Sequence, residues 1–198
     1  WRKIANHQYE EIIAGDMEKR TPWYPCWGIK INLEEFSISN FVTKFLEIRP
    51  NNRWLLISKD AAASERHLWH VWFAMEQKYL LKSALSKNVD AEFIRIISGT
   101  NQLKTAFSRA GLNENETEAW LIYLPIAETN LELLPETPIV EFTEKAQKIT
   151  YLMNSSIITE RPKPSKNGLE RLGIKYEEHD TSINEDLFIS HIARSSFS

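Results

Sequence analysis

The sequence predicts an α/β (α+β) domain: a mixed sheet of about four to five strands with helices packed on it, followed by a helical C-terminal portion. Short apolar or alternating runs recur between longer segments of helical period, and helix-start and helix-stop residues bracket those segments. The 198 residues are 42% hydrophobic and 26% charged, which is the ordinary composition of a globular chain able to bury a full core.

Trp27-Gly28-Ile29-Lys30-Ile31-Asn32-Leu33 alternates over a strand length, and Trp54-Leu55-Leu56-Ile57 is a short continuous apolar run, so both predict strands. Between them Ser37 is placed to cap a helix with Ile38, Phe41, Val42, Phe45, Leu46 and Ile48 near helical spacing. That helix ends at Arg49-Pro50, because proline disfavours helix in the residue before it. Ser64 opens the longest helical pattern, Leu68 to Leu85, apolar on two faces and therefore central. Ala91-Glu92-Phe93-Ile94-Arg95-Ile96-Ile97 predicts a strand running into Ser98-Gly99-Thr100. A helix follows from Asn101, with Leu103, Ala106, Phe107 and Ala110 inward and Gly111 as its stop. Trp120 to Leu124 predicts another strand. Residues 125–144 are acidic and proline-containing and predict a loop, with Leu131 to Phe142 at its centre. Helical stretches follow around Glu144 to Ile157 and Pro164 to Leu172. A last helix is signalled by a capping box of Ser182 and Glu185 before Leu187, Phe188, Ile189, Ile192 and Ala193. Residues 145–198 are thus expected to be helical, residues 25–198 to form one domain, and residues 1–24 to be an N-terminal extension.

Net charge is −3, which argues against binding nucleic acid through bulk charge. The distribution is uneven. Lys59 to Leu112 carries eight bases and five acids, whereas Asn113 to Glu160 carries two and nine. Cys26 is the only cysteine, so no disulfide forms within the chain and no all-cysteine zinc site or CxxC redox motif exists; one thiol fits a reducing compartment. No apolar run reaches the roughly 20 residues of a membrane helix, and the first twenty residues do not read as a signal peptide, so a cytoplasmic protein, or a nuclear one if eukaryotic, is expected, with no membrane partner and no DNA-specific partner.

The six glycines are scattered, which leaves no Walker or dinucleotide phosphate loop, and the G-x-S-x-G and H-E-x-x-H signatures are missing. His67 and His70 stand three apart on one helix, but no acidic third ligand has diagnostic spacing for a metal. His179-Asp180 fits a solvated pair better than a catalytic dyad. No cofactor is implied. Two turns stand above this background: Asp60-Ala61-Ala62-Ala63-Ser64-Glu65-Arg66-His67-Leu68, and Ser98-Gly99-Thr100-Asn101-Gln102-Leu103. Each feeds a helix N-terminus, where unpaired N–H groups and the dipole favour a phosphate or ribose. Stacking on His67 with Lys59, Arg66, Arg95 and Lys104 around it would suit single-stranded nucleic acid. The plainer alternative makes Ser64, Ser98 and Asn101 helix caps and His67 a half-buried helix residue.

These two stretches carry a resemblance. His67-Leu68 follows a short loop after the second strand; the long helix comes next, then Ser98-Gly99-x-x-Gln102-Leu103 with Ala106-Phe107 and Gly111-Leu112. Leu169-Glu170-Arg171-Leu172-Gly173-Ile174 and a final helix ending in Ile192-Ala193 complete the pattern. The arrangement resembles the PRPK-binding subunit family of the KEOPS (EKC) complex, from about Trp27 to the end and most clearly from Asn51 to Leu124. The resemblance implies a non-enzymatic accessory subunit. It would bind the N-lobe of the complex's small kinase/ATPase, and through it the transferase that makes threonylcarbamoyladenosine at position 37 of tRNAs. Archaeal members also hold the tRNA 3′ CCA end. By resemblance that site is expected at His67, Ser98, Gly99 and Gln102, with Lys59, Arg66, Asn101 and Lys104 beside them. Asn101 stands where the family commonly has a basic residue, which weakens an expected phosphate contact. The kinase-docking surface is expected on the last helix, at Leu187, Phe188 and Ile192, where Phe188 and Ile192 share a face. The competing expectations are a stand-alone single-stranded nucleic-acid binding module and, at a distance, a small hydrolase using His67.

Overall fold

A computed structural model describes residues 21–127, 131, 133–176 and 183–195. Four strands form one sheet: β1 (Cys26–Lys30), β2 (Trp54–Ser58), β3 (Glu118–Tyr123) and β4 (Ser156–Ile158), in the order β2-β3-β1-β4. Every pair is antiparallel, with Trp27 opposite Leu121 and Leu56 opposite Leu121 across the two inner ladders. The mixed sheet expected from the sequence is therefore wholly antiparallel. β1 and β2 nonetheless run the same way, because β3 is inserted between them. The helix α1 (Ile38–Ile48) joins them, capped as expected by Ser37, whose side chain accepts from the Asn40 N–H.

Strand alternation divides the core in two. Leu55, Ile57, Trp120, Ile122 and Cys26 face one layer, built from α2 (Glu65–Leu80), α3 (Val89–Ile97), α4 (Leu103–Ala110), α6 (Lys166–Leu172) and α7 (Glu185–Ser195). Trp27, Ile29, Trp54, Leu56 and Leu121 face the other, with α1 and α5 (Ile139–Leu152). The result is a three-layer sandwich. Buried indoles are satisfied as well as packed: Trp69, Trp72 and Trp120 donate to the carbonyls of Pro22, Pro125 and Lys59 at 3.0, 2.8 and 2.7 Å.

Several boundaries differ from expectation. Ala91 to Ile97 is the helix α3, not a strand. A continuous apolar run fits either element when both sides are covered, and Glu92 through Ile97 are all buried. The helical turn brings Arg95 Nη1 within 2.7 Å of the Glu92 carboxylate three residues earlier, a buried pair that alternating strand side chains would not form. The central helix ends at Leu80, short of Leu85. On α4 only Ala106 and Ala110 turn inward; Leu103 and Phe107 are exposed. The acidic loop is shortened because α5 begins at Ile139, and the edge strand β4 interrupts the expected helical C-terminal part.

Residues 21–24, expected as part of an extension, belong to the body. Tyr24 is fully buried against Trp69, and its N–H donates to Glu65 at 2.7 Å. Arg161 clamps this entry: its Nε donates to Glu65 at 2.8 Å, Nη2 to the Tyr24 carbonyl at 2.8 Å, and Nη1 to the Cys26 carbonyl. Burial pushes the Cys26 thiol up, so it stays an inert core residue. Residues 1–20 lie outside the described residues, as do Ser182 of the expected capping box and His179-Asp180. Among the described residues no helix is long and apolar enough to cross a membrane.

Candidate functional site: the seam beneath the last helix

The 3₁₀ turn Lys59–Ala61 follows β2, and Ser64 then starts α2 by accepting the His67 N–H at 2.9 Å. This local geometry turns the His67 side chain inward. Its Nδ1 accepts the Ala63 N–H at 3.2 Å, so the proton of the neutral ring sits on Nε2, which has no hydrogen-bond partner among the described residues. The ring lies 5.5 Å from that of Phe188 on α7. Burial first, and then the nearby His70 and His191, push the His67 pKa down to about 3. Burial also lowers His70, whose Nδ1–H donates to the Arg66 carbonyl at 2.7 Å. His67 is therefore neutral and enclosed, a position without access for a base to stack or a substrate to react.

The second turn arrives at the same place from α3. Gly99 has φ of +61°, a left-handed conformation that glycine adopts freely. A Cβ there would stand 2.0 Å from Nε2 of His191. Ser98 is buried, its Oγ donating to the carbonyls of Ile94 and Ala106 at 2.5 and 3.0 Å, and its own carbonyl accepts Arg109 Nη1. The residues just before the Leu169 to Ile174 stretch close the group. Ser165 caps α6 and donates to the Asp60 carboxylate at 2.9 Å, while Gly168 passes so close that a Cβ would meet the Asp60 carbonyl at 2.5 Å. That Cβ would also lie 3.1 Å from the Phe188 ring. Three separate stretches thus converge on one seam, and α7 lies across it.

The expected cations are largely spent within the chain. Arg66 bonds Glu185 and Asp186 of α7 at 3.1 and 2.9 Å. Burial alone would lower its pKa, but these two carboxylates outweigh burial and hold the guanidinium higher still. Lys59 is held between Glu118 and Glu160, and the carboxylates likewise raise it against the opposing effect of burial. Asn101 accepts Arg95 Nη2 at 2.6 Å. Of the eight residues expected at a tRNA end, His67 and Ser98 are buried, Gly99 is covered by His191, and Lys59, Arg66 and Asn101 are engaged by neighbours. Gln102, just before α4, and Lys104 on it remain exposed, beside the half-exposed side chains of Leu103 and Phe107.

The expected docking face needs correction too. Phe188 and Ile192 do share a face, but it is the inner one: they are 0 and 4% exposed and belong to the core, and Leu187 packs partly against it. A helix capping a mixed seam buries its apolar stripe against its own chain before it can offer it to another. The side turned outward carries Asp186 and Ala193, with Ile189 partly exposed. His191, which decides how α7 meets Gly99, was missed in the sequence because it stands alone in an apolar pattern. Arg161 gave no sequence signal either, since its three partners lie 96 to 137 residues away. Among the described residues no group of three or more His, Cys, Asp or Glu side chains is arranged to hold a metal ion. Compared with known proteins, the chain matches no family model and no curated sequence.

Proposed function

We propose that this chain is a non-catalytic accessory subunit of KEOPS type, which binds the small kinase/ATPase of that complex in the cytoplasm and helps to bring tRNA to the threonylcarbamoyl transferase. The observation that supports this is the convergence of the motif-bearing stretches. Asp60 to Leu68, Ser98 to Leu103 and the last helix are far apart in sequence, yet they meet in one seam, together with Ser165 and Gly168, which stand just before the Leu169 to Ile174 stretch. The two turns and the start of α6 thereby hold the last helix in a defined pose, as a docking subunit needs. The outward side of α7, not its buried stripe, is then the kinase contact. RNA contact falls to the exposed Gln102 and Lys104, so binding of tRNA by the isolated chain is weak and depends on the assembled complex. A stand-alone single-stranded nucleic-acid binder draws less support, because its cations are neutralised at Lys59 and Arg66.

Co-expression with the kinase tests the docking surface. Ile189→Glu and Ala193→Arg are expected to abolish co-purification while circular dichroism stays native; retained co-purification by both folded variants would remove α7 from the interface. In the assembled complex, Lys104→Gln should weaken tRNA retention and Lys59→Gln should leave it unchanged. Equal retention of tRNA with and without its CCA end would remove the 3′-end role.

A further inference from the structure

The end of α2 exposes an apolar set that the fold does not use. Leu80, Leu81 and Leu85 are 61, 67 and 65% exposed, and Phe73, seven residues before Leu80 and so on the same side of the helix, is exposed as well. Together the three leucines leave on the order of 300 Å² exposed, about the size of the largest apolar patch on an ordinary monomer, which is often a functional one.

The exposure is built in. Lys82 takes a left-handed φ of +55° that ends the helix, and the N–H groups of Ser83 and Ala84 both donate to the Lys78 carbonyl, at 2.8 and 3.2 Å. Below them, the Tyr79 hydroxyl donates to the Ser86 carbonyl at 2.8 Å, and the Ser86 N–H donates to the buried Glu92 carboxylate at 2.8 Å. The turn is tied to the core from beneath and its leucines are held outward.

Its charge is one-sided. From Gln77 to Val89 there are three lysines, Lys78, Lys82 and Lys87, and no carboxylate. The acids flanking the stretch are already neutralised: Glu76 by Arg53 at 2.9 Å and Asp90 by Arg49 at 2.6 Å. We propose that the turn from Leu80 to Leu85 is a docking knob for a partner protein presenting an apolar groove rimmed by carboxylates. Leucines would fill the groove and the lysines would meet its rim, giving orientation and on-rate. An anionic bilayer shares part of this chemistry but fits less well. Three cations and three leucines fall short of stable membrane anchoring. The proposal stands apart from the α7 surface and does not depend on it.

The test places the photo-crosslinking residue benzoylphenylalanine at Leu81 of the full chain in cells and maps each adduct by mass spectrometry. The expected result is a protein adduct whose crosslinked segment combines apolar residues with at least two carboxylates, its yield falling at least fivefold when Lys82→Glu and Lys87→Glu are added. Adducts confined to lipid, to a second copy of this chain, or absent altogether would overturn the proposal, as would a yield indifferent to charge reversal. With the mapped partner purified, Leu81→Ser with Leu85→Ser should lower affinity at least tenfold while circular dichroism stays native. An unchanged affinity would also overturn it.

Discussion

Acid should loosen the seam through His67, and the size of the effect follows from its geometry. In the unfolded chain this imidazole titrates near 6.5, as an ordinary histidine does. Folded, it is buried beside Phe188 with Nδ1 committed to the Ala63 N–H, and its pKa is pushed down to about 3. Below pH 6.5 the unfolded state takes up a proton that the folded state refuses, so stability is present above that pH and lost as pH falls towards 3. Each unit below 6.5 costs about 1.4 kcal/mol, which makes about 2 kcal/mol at pH 5 from this one group. That figure hardly depends on the folded value, provided the folded value lies well below 5. His70 and His191 are the charged neighbours of His67, Arg66, Glu185 and Asp186 act in turn on His70, and burial lowers His70 in the same sense. Urea unfolding followed by tryptophan fluorescence at pH 7 and pH 5 measures the loss in the parent chain and in His67→Asn, whose amide oxygen keeps an acceptor for Ala63. The variant loses packing against Phe188 and should be about 1–3 kcal/mol less stable at pH 7. Its further loss on going to pH 5 should be smaller than that of the parent by about 2 kcal/mol. Equal losses in the two proteins would refute the argument that His67 is held neutral.

Two further outcomes test the packing. Gly99→Ala should lower stability by about 1–3 kcal/mol in thermal or urea unfolding, since it adds a left-handed alanine and drives a Cβ into His191. Pairing it with His191→Ala should recover part of that loss, and no recovery would separate the two residues. Arg95→Met should cost about 3–5 kcal/mol, because it strands the fully buried Glu92 carboxylate, whereas Glu92→Gln combined with Arg95→Met should restore most of the stability.

Much of the architecture was legible because it is local. Ser37 and Ser64 cap the helices that their positions announced, and β1, β2 and β3 lie on the runs at Trp27, Trp54 and Trp120, because a side-chain oxygen reaching an N–H three residues on needs no distant partner. The segment from Ala91 to Ile97 was misjudged because burial on all sides erases the period that separates helix from strand. β4 was missed because three residues carry too little pattern, and its place is set by pairing with β1 more than 120 residues away. Both turns of the candidate site stood out in the sequence. Their purpose was not visible, since it depends on α7 and α6 arriving from the far end of the chain.

Periodicity and capping chemistry therefore determined that this chain makes helices and strands in a given order, and that Phe188 and Ile192 share a face. Only the tertiary structure decided that this face points into the core, that Lys59 and Arg66 already have carboxylate partners, and that His67 is sealed beneath a helix. Spacing along the chain fixes which side chains travel together. Which of them meet water, a partner or each other depends on contacts between segments a hundred residues apart, where the balance of burial and charge is settled.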